Sequence, residues 1–149
     1  MDIEAFGRRL IDLLPQLIRG FARREHNALS RGAITLPQLW ALEYLARQGS
    51  GTPMNELARW MGVTRPAATG LIDRLIAQGL AQRRGDSQDR RVVRVAITGK
   101  GRRILLTIWE QKRRMIVEVF GRIAATDRVQ YLTTLERVVS MLSEPSHKK

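Results

Sequence analysis

Residues 52–101 read TPMNELARWMGVTRPAATGLIDRLIAQGLAQRRGDSQDRRVVRVAITGKG. The period of the apolar residues changes part-way along. Up to Gln78 they recur at spacings of three and four, as on helices with one buried face. Leu57, Ala58, Trp60 and Met61 form the first such face, and Leu71, Ile72, Leu75 and Ile76 the second. Thr52 reads as the N-cap of the first helix, with Pro53 at its first helical position and Glu56 four residues beyond the cap. Thr64 caps the second helix, which runs to about Gln78, and Gly62 and Gly79 stop the two helices. From Leu80 the period falls to two. Leu80–Arg84 and Arg91–Ile97 are expected strands, joined by the turn-rich Gly85-Asp86-Ser87-Gln88-Asp89. In the second strand Val93, Val95 and Ile97 share one face, and Val92, Arg94 and Ala96 the other. Thr98 then caps a return to helix.

Two helices joined at Gly62-Val63 have the form of a helix-turn-helix. Taken alone, the pair fits plain helical packing equally well. The hairpin directly behind it tips the balance, because a hairpin there makes a wing beside the second helix. On the N-terminal side, Ile3, Phe6, Leu10, Leu13, Leu14, Leu17, Ile18 and Phe21 mark an amphipathic helix with Arg8, Arg9, Arg19, Arg23 and Arg24 on its polar face. Pro15 predicts a kink or a break near Leu14. Residues 30–35 read as a loop. Thr35 caps a helix that starts at Leu36-Pro37 and buries Leu39, Leu42, Tyr44 and Leu45, and residues 48–51 end it. On the C-terminal side a long helix carries Ile104, Leu105, Ile108, Trp109, Met115, Ile116, Val119, Phe120 and Ile123. Ala125-Thr126-Asp127 reads as a corner with a fresh cap, and a last helix carries Leu132, Leu135, Val138, Val139 and Leu142. The polar tail from Ser143 is expected to fray.

The expected fold class is therefore mainly α with a small β-hairpin wing, a winged helix-turn-helix between terminal helices. No segment repeats or reads as an interdomain linker, so one domain over residues 1–149 is expected. The winged lobe spans about 35–99, with flanking helices at about 1–30 and 100–143. The apolar stripes of the first and last helices exceed what a solitary peripheral helix needs. Packing against the long helix is one use for them; a dimerisation bundle with a second copy is the favoured one.

Charge narrows the function. The 149 residues hold 26 Lys+Arg against 14 Asp+Glu, a net +12. Between Val63 and Arg103 ten basic residues face only Asp73, Asp86 and Asp89, so +7 of that total lies in 41 residues. Evenly scattered charge would put about three units there. Such a concentration points to a polyanion, and DNA, RNA and anionic membrane are the candidates. RNA recognition would want stacking aromatics on a basic sheet, whereas the three Phe, three Trp and two Tyr fall mostly on helices. Membrane-surface binding would use the first helix, whose apolar face is better used in a core or dimer. Without cysteine there is no disulfide, thiolate metal site or thiol sensor. With His26 and His147 as the two histidines, and no GxxxxGK[ST], GxGxxG or HExxH pattern, an enzyme is not expected, nor is a metal or cofactor. The glycines around Lys100 sit at a helix start and would at most hold one phosphate of a DNA backbone. No apolar run spans a membrane, and Met1-Asp2-Ile3-Glu4 lacks a signal-peptide pattern, so a cytoplasmic location is expected.

Residues 63–80, the wing Arg83–Arg91 and the stretch from Ile97 to Gly101 together resemble the MarR (multiple antibiotic resistance regulator) family, and the element order matches it over nearly the whole chain. The resemblance implies a homodimeric, sequence-specific regulator of transcription on double-stranded DNA with a palindromic operator. Repression relieved by a small aromatic or anionic effector is the commoner outcome in that family. A ligand-independent architectural or RNA-binding protein is the alternative. Thr64, Arg65, Pro66, Ala67 and Thr69 would lie at the end of the recognition helix that enters the major groove. Arg65 is the best candidate for a base contact, since a guanidinium pairs twice with guanine. Thr64 serves as cap, DNA contact or both, and Ala67 and Ala68 leave room to meet thymine methyls. Arg74 pairs with an acid or, preferably, a phosphate. Gly70 stands where relatives often carry a larger polar residue. Arg91 of the Asp-x-Arg wing motif would enter the minor groove, oriented by Asp89, with Arg84 and Arg90 on phosphates. For Arg83, Arg84, Arg90 and Arg94 a salt-bridged, solvated hairpin is the plain alternative. An effector pocket would draw on Phe21, His26, Trp40, Tyr44 and Trp109, with Arg19 or Arg23 for charge, although aromatics at helical spacing more often serve the core. The lack of cysteine excludes the peroxide-sensing branch of the family.

Overall fold

The computed structural model describes residues 1–24, 31, 33–86, 88–89 and 91–143. In chain order the elements are α1 (Ile3–Ala22), α2 (Leu36–Gln48), β1 (Thr52–Pro53), α3 (Met54–Met61), α4 (Arg65–Ala77), β2 (Ala81–Gly85), β3 (Val93–Ile97), α5 (Gly99–Phe120) and α6 (Ala125–Ser143). The chain divides into two compact units, Met1–Lys112 and Arg113–Lys149.

In the first unit a core of Leu39, Leu42 and Leu45 from α2, Leu57 from α3, Leu71, Ile72 and Leu75 from α4 and Val95 from β3 is closed by Leu105 and Ile108 of α5. Thr35 forms a full capping box: its hydroxyl accepts the Gln38 N–H, while the Gln38 side chain accepts the Thr35 N–H at 2.8 Å. Gly62 has φ +65° and Gly79 φ +72°. In this left-handed region a side chain would be strained, and the two glycines let α3 turn sharply into α4 and α4 into β2.

The sheet departs from expectation. It has three strands in the order β1-β3-β2, all antiparallel. Thr52 pairs with Val95 and Pro53 with Arg94, so Thr52 belongs to a strand and does not cap α3. The cap of α3 is Pro53, which provides no side-chain bond. Proline is tolerated here because β1 is an edge strand, where its missing N–H breaks no ladder. The strand alternation also fails at the root of the hairpin. Ala96 is buried between Val95 and Ile97, whereas Val93 is exposed. As the central strand, β3 is covered on both faces at its root and bare toward the tip. Ile76 is only partly buried, and Ala68 takes a core position on α4 instead.

Pro15 does not break α1, which continues unbroken to Ala22, and the Gln16 side chain donates to the Asp12 carbonyl at 2.9 Å. In the second unit Ile123 lies beyond the end of α5, and Ala125-Thr126-Asp127 forms the first turn of α6 where a corner was expected. The Arg128 guanidinium donates to the carbonyls of Phe120 and Ile123, satisfying the α5 end, and the rings of Phe120 and Tyr131 pack 5.5 Å apart. No residue of α1 or α6 is buried. No helix among the described residues is long and apolar enough to cross a membrane.

Candidate nucleic-acid interface

The first turn of α4 and the wing tip carry the candidate residues. Thr64 caps α4, its hydroxyl accepting the Ala67 N–H at 3.3 Å. The Thr69 hydroxyl donates to the Arg65 carbonyl at 2.9 Å and is half-buried. Arg65, Pro66, Ala67 and Gly70 are exposed, while Ala68 is fully buried. Ala68 therefore cannot meet a thymine methyl. It lies on the side of α4 that carries Leu71, Ile72 and Leu75, one turn before the first two and two turns before the third. Arg74 is exposed, and its guanidinium has no partner among the described residues.

Three cations of this region are committed to the protein. Arg83 on β2 pairs with Asp73 on α4 at 2.5 Å, neutralising the one acid of that helix and tying α4 to the wing. Arg94 on β3 pairs with Asp86 and also donates to the Gly51 carbonyl at 3.2 Å. Lys100, between the glycines at the start of α5, donates its ammonium to the Gln78 carbonyl at 2.8 Å, the position a cation favours at a helix C-terminus. Thr98 completes that junction. Its hydroxyl donates to the Gly79 carbonyl at 2.6 Å and accepts the Gly101 N–H at 3.0 Å.

The wing tip is built from two carboxylates. Asp86 accepts the N–H groups of Gln88 at 2.7 Å and Asp89 at 3.1 Å through one oxygen and holds Arg94 with the other. The Arg94 hydrogen bond, then the two backbone N–H groups, lower its pKa to about 2 against a slight opposing desolvation. Asp89 in turn accepts the Arg91 N–H at 2.9 Å. Asp89 thus orients Arg91 through its backbone. The Arg91 side chain is exposed and unpaired among the described residues, while the Arg84 guanidinium is within reach of the Gln82 amide. Arg90 lies outside the described residues, as does His26.

Tyr44 is buried. Its hydroxyl donates to Glu56 at 2.8 Å, its ring stacks on Trp60 at 4.5 Å, and burial followed by the Glu56 hydrogen bond pushes its phenol pKa up. Trp109 is 38% exposed and donates its indole N–H to Glu43 at 2.9 Å. Trp40 is 48% exposed, and Phe21 on α1 is half-buried.

A three-stranded winged helix-turn-helix with this basic tip invites comparison with known proteins. The MarR family model matches residues 34–92. The HTH-type transcriptional regulator YsmB of Bacillus subtilis (strain 168) is 30% identical over 119 residues, covering 80% of this chain and 76% of that protein. The chain belongs to the MarR family. A MarR family protein from Bacillus stearothermophilus has the same fold, with a TM-score of 0.82 and 26% identity over 97% of this chain and 100% of that one. RV1404 from Mycobacterium tuberculosis shares the fold at a TM-score of 0.79 and 24% identity, covering 99% of each chain. This MarR chain is a DNA-binding regulator of transcription, not an enzyme. Sequence reasoning missed the role of Asp86 in its wing, and had the salt bridge of Arg94 only as the plain alternative. The available signal was an aspartate at the head of a turn, the residue type that folds its carboxylate back on the next N–H groups.

Proposed function

We propose that the protein is a homodimeric repressor of a palindromic operator, with the start of α4 in the major groove and Arg91 in the minor groove of each half-site. The observation that carries this reading is the division of labour among the cations. Arg83, Arg94 and Lys100 are spent on the fold, whereas Arg65 and Arg91 stand exposed with no side-chain partner among the described residues. Arg65 occupies the first position of α4. A cation there opposes the helix dipole by about 0.3–1 kcal/mol, a cost that a bound polyanion reverses. Thr64 and Pro66 fix the helix start that presents it, and Ala67 leaves room beside it for the groove edge. Arg74 and Arg84 fit phosphates, and Arg90 is assigned there from its place in the motif.

Dimerisation is supported by the terminal helices. Phe6, Leu10, Leu13, Leu14 and Leu17 on α1, and Leu132, Leu135, Val138 and Val139 on α6, are all at least 40% exposed. A two-fold dimer would place its recognition helices about 34–36 Å apart, one turn of DNA. Repression follows from occupancy, since a protein seated on two successive grooves excludes others from that stretch. Relief by a small aromatic anion would use the partly exposed Trp40 and Trp109 with Phe21 and His26; Tyr44 would contribute only after releasing Glu56. Titration with a phenolic carboxylate while tryptophan fluorescence is followed tests this part, and an unchanged spectrum with unchanged DNA affinity removes it.

The main test is a footprint on the protein's own promoter region across a salt series. A two-fold-symmetric protected site with steep salt dependence is expected. Arg65→Ala should relax sequence preference at one position per half-site, by about 1–3 kcal/mol. If neither Arg65→Ala nor Arg91→Ala alters binding, the assignment is wrong.

A further inference from the structure

We propose that Asp86 is the positioning residue of the wing, fixing through Asp89 the backbone from which Arg91 reaches the DNA. This rests on the reading of Arg91 as the minor-groove residue. Three observations carry it. First, Asp86 has the least exposed side chain of the wing ion pairs, at 10%, against 46% and 51% for Arg83 and Asp73. Second, its contacts run in both directions. Toward the root they reach Arg94 and, through Arg94, the Gly51 carbonyl ahead of β1; toward the tip they reach the N–H groups of Gln88 and Asp89. Its own N–H donates to the Val92 carbonyl at 3.2 Å, closing the loop across the strands. Third, the chain of contacts continues without a gap, because Asp89 accepts the Arg91 N–H and its carbonyl accepts the Val92 N–H at 3.0 Å.

A loop held only by its ends would leave Arg91 to search many directions. Ordering it on binding would cost conformational entropy for each residue fixed. Here two carboxylates have already satisfied three of the tip's N–H groups, so that cost is met on folding. Arg94 has a matching role. It lies directly across from Arg84 in the ladder, and without Asp86 two guanidinium groups would face each other on one side of the sheet. The Asp86 pair removes that repulsion, leaving Arg84 available to a phosphate.

The test needs no known operator. Affinities are measured for a duplex of (dA)24·(dT)24, whose minor groove is narrow, and for a mixed G·C duplex of the same length. The full-length protein is compared with Asp86→Ala, Arg91→Ala, the double variant and Arg94→Met. Wild type should prefer the A-tract. Arg91→Ala should abolish the preference, with A-tract affinity falling on the order of tenfold. Asp86→Ala should lose most of the same preference, and the double variant should bind no worse than Arg91→Ala. Arg94→Met, which cuts the link to the root and keeps the tip contacts, should fall between. Hydrogen exchange of the Gln88, Asp89 and Arg91 amides should accelerate in Asp86→Ala while the core amides of α4 keep their protection. If Arg91→Ala retains the preference, the minor-groove reading fails and the proposal with it. If Arg91→Ala loses it and Asp86→Ala does not, or if the two losses add in the double variant, Asp86 does not act through Arg91 and the proposal alone is overturned.

Discussion

A Cβ added at Gly70 on α4 would meet nothing within 4 Å, whereas one added at Gly101 on α5 would sit 2.2 Å from the Leu80 carbonyl oxygen and 2.8 Å from the Ile97 side chain. The first glycine is therefore a weakness of the recognition helix and the second a requirement of the junction between β2, β3 and α5. Gly70→Ala should stabilise the protein by about 0.5–1 kcal/mol, the usual helix-propensity gain. Gly101→Ala should destabilise it by at least about 1–3 kcal/mol, because backbone on the opposite side cannot yield as a flexible side chain would. Urea unfolding of the two variants checks both signs; equal effects would contradict the geometry. Asp86 makes a second prediction at this scale. Its folded pKa of about 2 lies below the ordinary value of 3.8. The ordering it contributes is present in full above pH 3.8 and is lost as pH falls through about 2. Between pH 5 and 9 the wing should be indifferent to this group. A carboxyl-carbon NMR titration should place its midpoint near 2, and a midpoint near 3.8 would show that Arg94 and the two N–H groups do not hold it.

Between elements, the α4 end is fastened by side chains from the chain that follows it. Thr98 and Lys100 donate to the carbonyls of Gly79 and Gln78. Thr98→Val keeps the shape of the side chain and removes both hydroxyl bonds. It should cost about 1–3 kcal/mol, since the Gly101 N–H is left without its acceptor. Urea unfolding measures this, and a loss under 0.5 kcal/mol would mean that water replaces the hydroxyl. These fastenings show what the sequence could and could not disclose. Helix positions were legible because caps and stops act locally: Thr35, Thr64, Gly62 and Gly79 do what their neighbours in sequence predict. Thr52 was misread for the same reason. It has the form of a cap before a helix, but its strand role depends on Val95, far along the chain. The site divides similarly. Arg65 and Arg91 were singled out by motif and charge, and both are exposed with no side-chain partner among the described residues. A salt-bridged hairpin was open to Arg83, Arg84, Arg90 and Arg94 alike, but which of them pair, and with which acid, was not readable, because no periodicity reports the contacts Asp73–Arg83 and Asp86–Arg94.

For the whole molecule, the charge is concentrated on the wing and α4, and the terminal helices α1 and α6 carry exposed apolar residues. Neither α1 nor α6 buries a single residue, although Leu135 and Val138 on α6 are Leu and Val at helical spacing and only 44% and 43% exposed. A half-exposed side chain of this kind recovers about 1 kcal/mol when fully covered. Two-fold symmetry counts every such gain twice, and also every loss. Leu135→Glu should therefore act as two buried carboxylates at a symmetric interface, each desolvated without a partner. The winged lobe should survive, because its core draws on α2 to α5 and includes no residue of α6. Light scattering should report a dimer for the wild type and a monomer for the variant at micromolar concentration, with circular dichroism still showing a folded lobe. Binding to a duplex with two half-sites should fall on the order of a hundredfold, the advantage of tethering two readers, while binding to a single half-site changes little. A wild type that is a folded monomer at that concentration would sink the dimer. A dimeric variant with unchanged binding would place the interface away from α6 and leave α1 to carry it.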